Sequence, residues 1–373
     1  MTRRSWAWRL AAVVAVGALA LGLVACGGDD DDSGAASNTS GGGGGGTTLD
    51  LAYVTTAQHP YGIAVQAYAD EVNKSGTGLT ITPQPAYPQA EIQLLADVRS
   101  GVVPMATVSS AIWDTAGITA FQALQAPFLI TNYPLALEVE GGPIGKAMLE
   151  QANQQAGDIV ALAIHEGGLR KPFGKVPLAS LADFKGKTIR APQSQVLSEG
   201  FKALGANVEP LPLPDVYQAL QNGTVDGVEA NLPLIYTQKW YEVAKNVTGN
   251  VNFWPFPTVL VINKAVYDGL NADQQTALTD AAANITKESI DIFTTPGSTV
   301  AQDLVNCGIK YITAKPDDVA AMQKAAEGAI TNLAPESQDF VKQIQAAKTA
   351  AGTPAAPPPL PTTKTGECKP PAG

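Results

Sequence analysis

The sequence predicts an α/β fold of two lobes closing on a cleft like a clamshell. Three observations predict it. Short strand-like runs alternate with helical stretches of about a dozen residues. The alternation starts afresh after Gly186. A late, wholly apolar run, Thr258–Asn263, has the character of a strand buried on both faces. At 373 residues, with 45% hydrophobic and 16% charged side chains, the chain carries core material for about two domains of roughly 150 residues each.

The chain opens with Arg3, Arg4 and Arg9 before an apolar stretch from Leu10 to Ala25, the pattern of a secretory signal peptide (1–25) and short for a spanning helix. It ends Leu23-Val24-Ala25-Cys26, which matches a bacterial lipobox, so Cys26 is the expected lipidation site. Residues 26–48, with Asp29 to Asp32 and Gly41 to Gly46, read as a flexible tether that cannot build a core.

Strands are predicted at Asp50–Val54, Leu79–Pro83, Met105–Ser109 and Ile159–Ile164, with helices over Gly62–Asn73, Ala90–Ser100 and Ile144–Ala156. The second series has strands at Lys187–Arg190, Val208–Leu211 and from Gly227, and helices at Ser194–Leu204, Val216–Asn222 and from Lys239 to Ala244. Glycines at 101, 205 and 223 close three of the helices. After Thr258–Asn263, helices are predicted over Ala272–Thr295, Pro316–Leu333 and Pro335–Ala350. The strand Thr258–Asn263 is expected to return to the first lobe, so that two crossings make a hinge.

Composition narrows the function. Net charge is −10 and no Lys/Arg-rich run exists, which argues against a nucleic-acid binder. Aromatics at 6% argue against a groove that stacks carbohydrate rings, and two histidines with three cysteines argue against a Cys/His zinc site. His165-Glu166-Gly167-Gly168-Leu169 begins like a zinc-protease motif but lacks the second histidine. Gly186-Lys187-Thr188 resembles the end of a phosphate loop, but Leu181 stands where a glycine is needed. No enzyme, metal or cofactor is therefore expected. With Cys26 lipidated, Cys307 and Cys368 remain as an even pair, and a disulfide pinning the Pro-rich tail (346–373) is predicted, two free thiols being the alternative.

One segment is more specific. It reads Gly186-Lys187-Thr188-Ile189-Arg190-Ala191-Pro192, then Ala203-Leu204-Gly205-Ala206. Asp215-Val216-Tyr217-Gln218-Ala219-Leu220-Gln221-Asn222-Gly223-Thr224-Val225-Asp226-Gly227-Val228-Glu229 follows, and then Tyr241-Glu242-Val243. These blocks resemble, in order and spacing, the solute receptors of TRAP transporters, the DctP-type family of carboxylate uptake systems. Weaker similarity at Asp97–Gly101, Ala126-Pro127-Phe128 and Gly142–Lys146 extends the resemblance over about 49–345.

The resemblance implies a periplasmic-binding-protein-like clamshell, with 49–167 plus 256–296 as lobe I and 168–255 plus 297–345 as lobe II. It implies that Arg190 pairs with a ligand carboxylate. A planar, permanently charged guanidinium suits that task. Arg170 matches a second family position that often contacts ligand. Glu229 closes the family block, and the family's ligand asparagine falls at Ala230, leaving Asn231 one place on. Further candidates lie at strand ends, where α/β proteins place ligands: His59, Ser109, Ser110 and Trp113. Trp254 would either stack on the ligand or belong to core packing. The expected partners are a small organic acid, TRAP permease subunits and, through the lipid, the extracytoplasmic face of the cell membrane. A co-receptor for a sensor kinase is the alternative, and a secreted enzyme a remoter one.

Overall fold

The computed structural model describes residues 46–295, 300–352 and 359–371. The expected signal peptide, Cys26 and the expected tether up to residue 45 lie outside them. Among the described residues eleven strands follow in chain order: β1 (Thr47–Ala52), β2 (Leu79–Gln84), β3 (Met105–Ser109), β4 (Ile159–Glu166), β5 (Lys171–Gly174) and β6 (Thr188–Ala191). Then come β7 (Asn207–Pro210), β8 (Gly227–Ala230), β9 (Asn246–Thr248), β10 (Pro257–Asn263) and β11 (Lys310–Ile312).

They form two sheets, one per lobe. The first has the order β2-β1-β3-β10-β4 and the second β11-β9-β5-β8-β6-β7. The run that was expected to return to the first lobe does so. β10 lies between β3 and β4, and all seven of its residues are buried. Each sheet is largely parallel, with one reversed strand. β10 runs antiparallel to both neighbours, and β5 runs antiparallel to β8 and β9. A strand that enters from the other lobe, rather than from a covering helix, is free to run either way.

Each lobe wraps its sheet with amphipathic helices. In the first, the helices Pro60–Asn73 and Ala272–Thr294 pack on each other, and the longer one also covers β4. Asn271 and Gln274 close a reciprocal capping box at its start. In the second, Gln195–Ala203 packs on Pro316–Thr331. Three expectations need correction. Lys239–Ala244 is a single 3₁₀ turn, Trp240–Glu242, entered through a left-handed Lys239 (φ 55°) and followed by β9. The helix Pro335–Ala351 sits on the first lobe, not the second, because Phe340, Val341 and Ile344 join that lobe's core beside the helices Tyr133–Gly141 and Pro143–Ala156. The chain passes between lobes at five places rather than two: β4 to β5, β9 to β10, on either side of the second-lobe segment 300–331, and between the last helix and the tail. Cys307 and Cys368 are joined by a disulfide. Tyr236 Oη donates to the Lys369 carbonyl and Gln302 to the Thr363 carbonyl, so the tail lies along the second lobe.

Candidate functional site

The two passages between β4 and β5 and between β9 and β10 run beside each other. Gly167 N–H donates to Phe256 O (2.9 Å), Arg170 N–H to Trp254 O (2.9 Å) and Phe253 N–H to Arg170 O (2.8 Å). Gly168 is required here. Its φ is +107°, and a Cβ would lie 2.5 Å from Asn231 Nδ2. This ribbon brings Arg170 to the cleft.

Three charged side chains meet at the second-lobe wall. Arg190 projects from the C-terminal end of β6, Glu229 from β8 and Arg170 from the residue preceding β5. All three are buried, Glu229 completely. Arg170 Nε donates to Glu229 Oε2 in a close ion pair, and Nη2 donates to the Glu229 carbonyl (3.1 Å). Its guanidinium stacks on Phe256, 4.3 Å from the ring centroid. Arg190 Nη1 lies 3.7 Å from Glu229 Oε1. The Nε–Nη2 edge of Arg190 is not free, as both nitrogens donate to Leu211 O (2.9 and 2.7 Å). A ligand carboxylate would therefore meet Arg190 at its end rather than its side. Burial, opposed by Glu229, pushes the Arg190 guanidinium down to about 10, still cationic at neutral pH. Two cations against Glu229 leave this wall one positive charge in excess.

The facing wall belongs to the first lobe. His59 caps the helix Pro60–Asn73: Nδ1 accepts from Tyr61 N–H (3.1 Å), which leaves Nε2–H to donate to Asn231 Oδ1 (3.2 Å) across the cleft. Burial pushes this imidazole down to about 3, so it is neutral. Glu91, half-buried in the first turn of its helix, accepts from Ser109 N–H (3.0 Å), and burial raises its carboxyl despite the two arginines.

Between the walls lies a cavity of about 20 Å³ lined by Thr55, His59, Glu91, Arg170, Arg190 and Asn231, closed on its apolar side by Leu213, Leu234 and Phe256. It has room for roughly one water. Thr55 Oγ1 is buried at this cavity without a hydrogen-bond partner.

Among the residues expected from sequence, Arg170, Arg190, His59 and Asn231 converge on this cavity, and Glu229 sits behind the arginines as their counterion. Asn231 reaches it because the strand ends at Ala230. Asn231 then caps the helix Leu232–Thr237 (Oδ1 to Leu234 N, 2.7 Å), which breaks the alternation of a strand. Four expected residues lie elsewhere. Trp254 packs on Phe201 and Phe253 in the second-lobe core, and Trp113 on Phe121 in the first. Ser109 Oγ caps a 3₁₀ turn at Ala111 N, and the Ser110 carbonyl accepts from Gln125. Strand-end position alone does not decide which way a side chain faces. Glu91, Thr55 and Phe256 were missed. An acid in the first turn of a helix that follows a strand end was the available signal for Glu91.

Residues 51–336 match the DctP family, bacterial extracellular solute-binding protein, family 7. The chain is 28% identical over 307 residues to the C4-dicarboxylate-binding periplasmic protein DctP of Rhodobacter capsulatus, covering 81% of this chain and 89% of that one. Among solved structures it resembles a TRAP periplasmic solute binding protein of Xanthobacter autotrophicus with bound β-D-galacturonate. There the TM-score is 0.75 at 28% identity, covering 80% of this chain and all of that one. It also resembles the sugar acid binding protein DctPAm of Advenella mimigardefordensis in complex with galactonate, with a TM-score of 0.76 at 25% identity, covering 83% and 99%.

Proposed function

The chain belongs to the DctP family of bacterial extracellular solute-binding proteins, and from that premise we propose that it captures an organic acid between its lobes on Arg170 and Arg190. Its relatives are solute receptors, and it is a receptor and not an enzyme. The observation that carries the proposal is the buried Arg170–Glu229–Arg190 cluster, in which two guanidinium groups share one carboxylate beside a cavity between two lobes.

The cavity of about 20 Å³ is smaller than any sugar acid or C4 dicarboxylate, so the ligand enters with the lobes parted. Its carboxylate engages the arginines first. Closure then brings His59, Thr55 and Glu91 onto the rest of the molecule, and the bound acid stabilises the closed state. The lipid on Cys26 holds the receptor at the membrane, and the closed form delivers its acid to the TRAP permease subunits. The bound ligands of the relatives make hydroxylated acids such as galacturonate and galactonate the first candidates.

The test is thermal unfolding against D-galacturonate, D-galactonate and succinate, with Arg190→Ala in parallel. A ligand at 100 times its Kd adds about 2.7 kcal/mol. One acid class should raise the melting temperature by several degrees, and Arg190→Ala should weaken that acid by about 30-fold or more. Unchanged affinity in the variant would remove Arg190 from the site. No response to any acid, before or after refolding from denaturant, would remove the carboxylate reading.

A further inference from the structure

The carboxylate of Asp114 belongs to the first lobe, yet its hydrogen bonds go to the second. Trp113, just before it, is buried in the first-lobe core. Asp114 Oδ2 accepts from Ser194 Oγ (3.0 Å) and from the backbone N–H groups of Gln195 (3.1 Å) and Val196 (3.2 Å). These are the free donors at the start of the nine-residue helix Gln195–Ala203, which packs on the second lobe. A helix N-terminus needs acceptors for its first N–H groups and favours negative charge. Here much of that need is met from the opposite lobe. Around it the interface is closed. Val196 inserts into the first-lobe core, and Ser194 Oγ also lies 2.9 Å from Gln125 Oε1.

The contact adjoins the cavity. A recess of about 10 Å³ beside it is lined by Glu91, Ile112, Arg190, Pro192 and Gln193. Ile112 is two residues before Asp114, and Gln193 directly precedes the capped helix. Arg190 and that helix are joined by only four residues, so whatever fixes the helix start also fixes the approach of Arg190.

We propose that Asp114 is the latch of the closed state, a positioning residue that holds the helix following Arg190 against the first lobe and so sets how long a captured acid stays bound. This rests on the capture reading above. The latch lies outside the ligand cavity and acts on dissociation rather than on recognition.

Two measurements test it. One is the radius of gyration of the free protein by small-angle scattering, and the other is the dissociation rate of D-galacturonate. Asp114→Ala should enlarge the free protein and speed dissociation by about tenfold, with association changed less than twofold. Asp114→Asn, whose amide oxygen caps nearly as well, should stay within about twofold of the wild type. Gln195→Pro removes one donor at a position where proline suits a helix, and should speed dissociation by about threefold. It keeps the question open to answer if Asp114→Ala does not fold. Wild-type dissociation and an unchanged radius in Asp114→Ala, or in Gln195→Pro where the first does not fold, would overturn the latch. If the wild type itself does not bind the probe, the radius decides alone, and that result counts against galacturonate rather than against Asp114.

Discussion

The two lobes bury polar groups in opposite ways. The second buries ions. Arg170, Glu229 and Arg190 form one cluster, and the Lys171 ammonium donates to Gly249 O and Asn252 Oδ1 at 2.7 Å each, its pKa pushed down to about 8 by burial. The first lobe buries mostly neutral forms. His59 and His165 are both pushed down to about 3, and burial beside Glu166 holds the Glu140 carboxyl well above its usual range. The difference divides the labour of binding. Charge is neutralised on a wall where it is already desolvated and paired, while on the other wall His59 and Thr55 supply uncharged donors and acceptors.

The largest expected effect breaks the charged half. Glu229→Ala leaves two guanidinium groups buried together and should cost about 3–5 kcal/mol in chemical denaturation. A loss below about 1 kcal/mol would show that the cluster is not desolvated as described. Next is the neutral half in acid. An imidazole whose folded pKa is about 3 stays neutral while the unfolded chain takes up a proton below about 6.5. Each buried histidine should therefore remove up to about 1.4 kcal/mol of stability per pH unit as pH falls from 6.5 towards 3. His165 Nε2 is 2.8 Å from Thr258 Oγ1, a contact glutamine can keep, so His165→Gln should flatten that acid limb. An unchanged slope between pH 6.5 and 4.5 would refute the buried neutral form.

The smallest effect sharpens the contrast within the first lobe. Glu166 Oε1 accepts from Gly168 and Phe256 N–H on the two passages, while Glu166 Oε2 and both Glu140 oxygens are buried without a partner. A proton kept on Glu140 resolves this. With a folded pKa above the unfolded value, its favourable contribution is complete in acid and declines as pH rises through the intervening range. Glu140→Gln cannot lose that proton and should gain on the wild type as pH rises from 5 to 8, by about 1 kcal/mol. A variant that instead falls further behind at pH 8 would show that Glu140 is ionised.

Much of the fold could be read from local pattern. Local pattern placed Met105–Ser109 and Val216–Asn222 to the residue, and in the helix burial follows from the 3.6-residue spacing of Val216, Ala219 and Leu220. The short strands β5, β9 and β11 escaped, since three or four residues carry no measurable period and pair only with distant partners. The candidate site divides the same way. Arg190 and Glu229 were legible because a spaced block of residue types marks them, and Arg170 because it matches a second family position. Trp113 and Trp254 were not, because an indole at a strand end fits a core as well as a cleft.

By itself, then, the sequence determined two α/β lobes, the return of the strand Thr258–Asn263 to the first lobe, the pair of arginines, and the pair of cysteines left to bond to each other. Only the tertiary structure decided that Asn231 turns to His59, that the last helix belongs to the first lobe, and that Asp114 caps a helix of the other. Those outcomes depend on groups between 80 and 220 residues apart in the chain. Local periodicity carries no information about such meetings. They are settled by which buried donors and acceptors can satisfy one another once water is excluded.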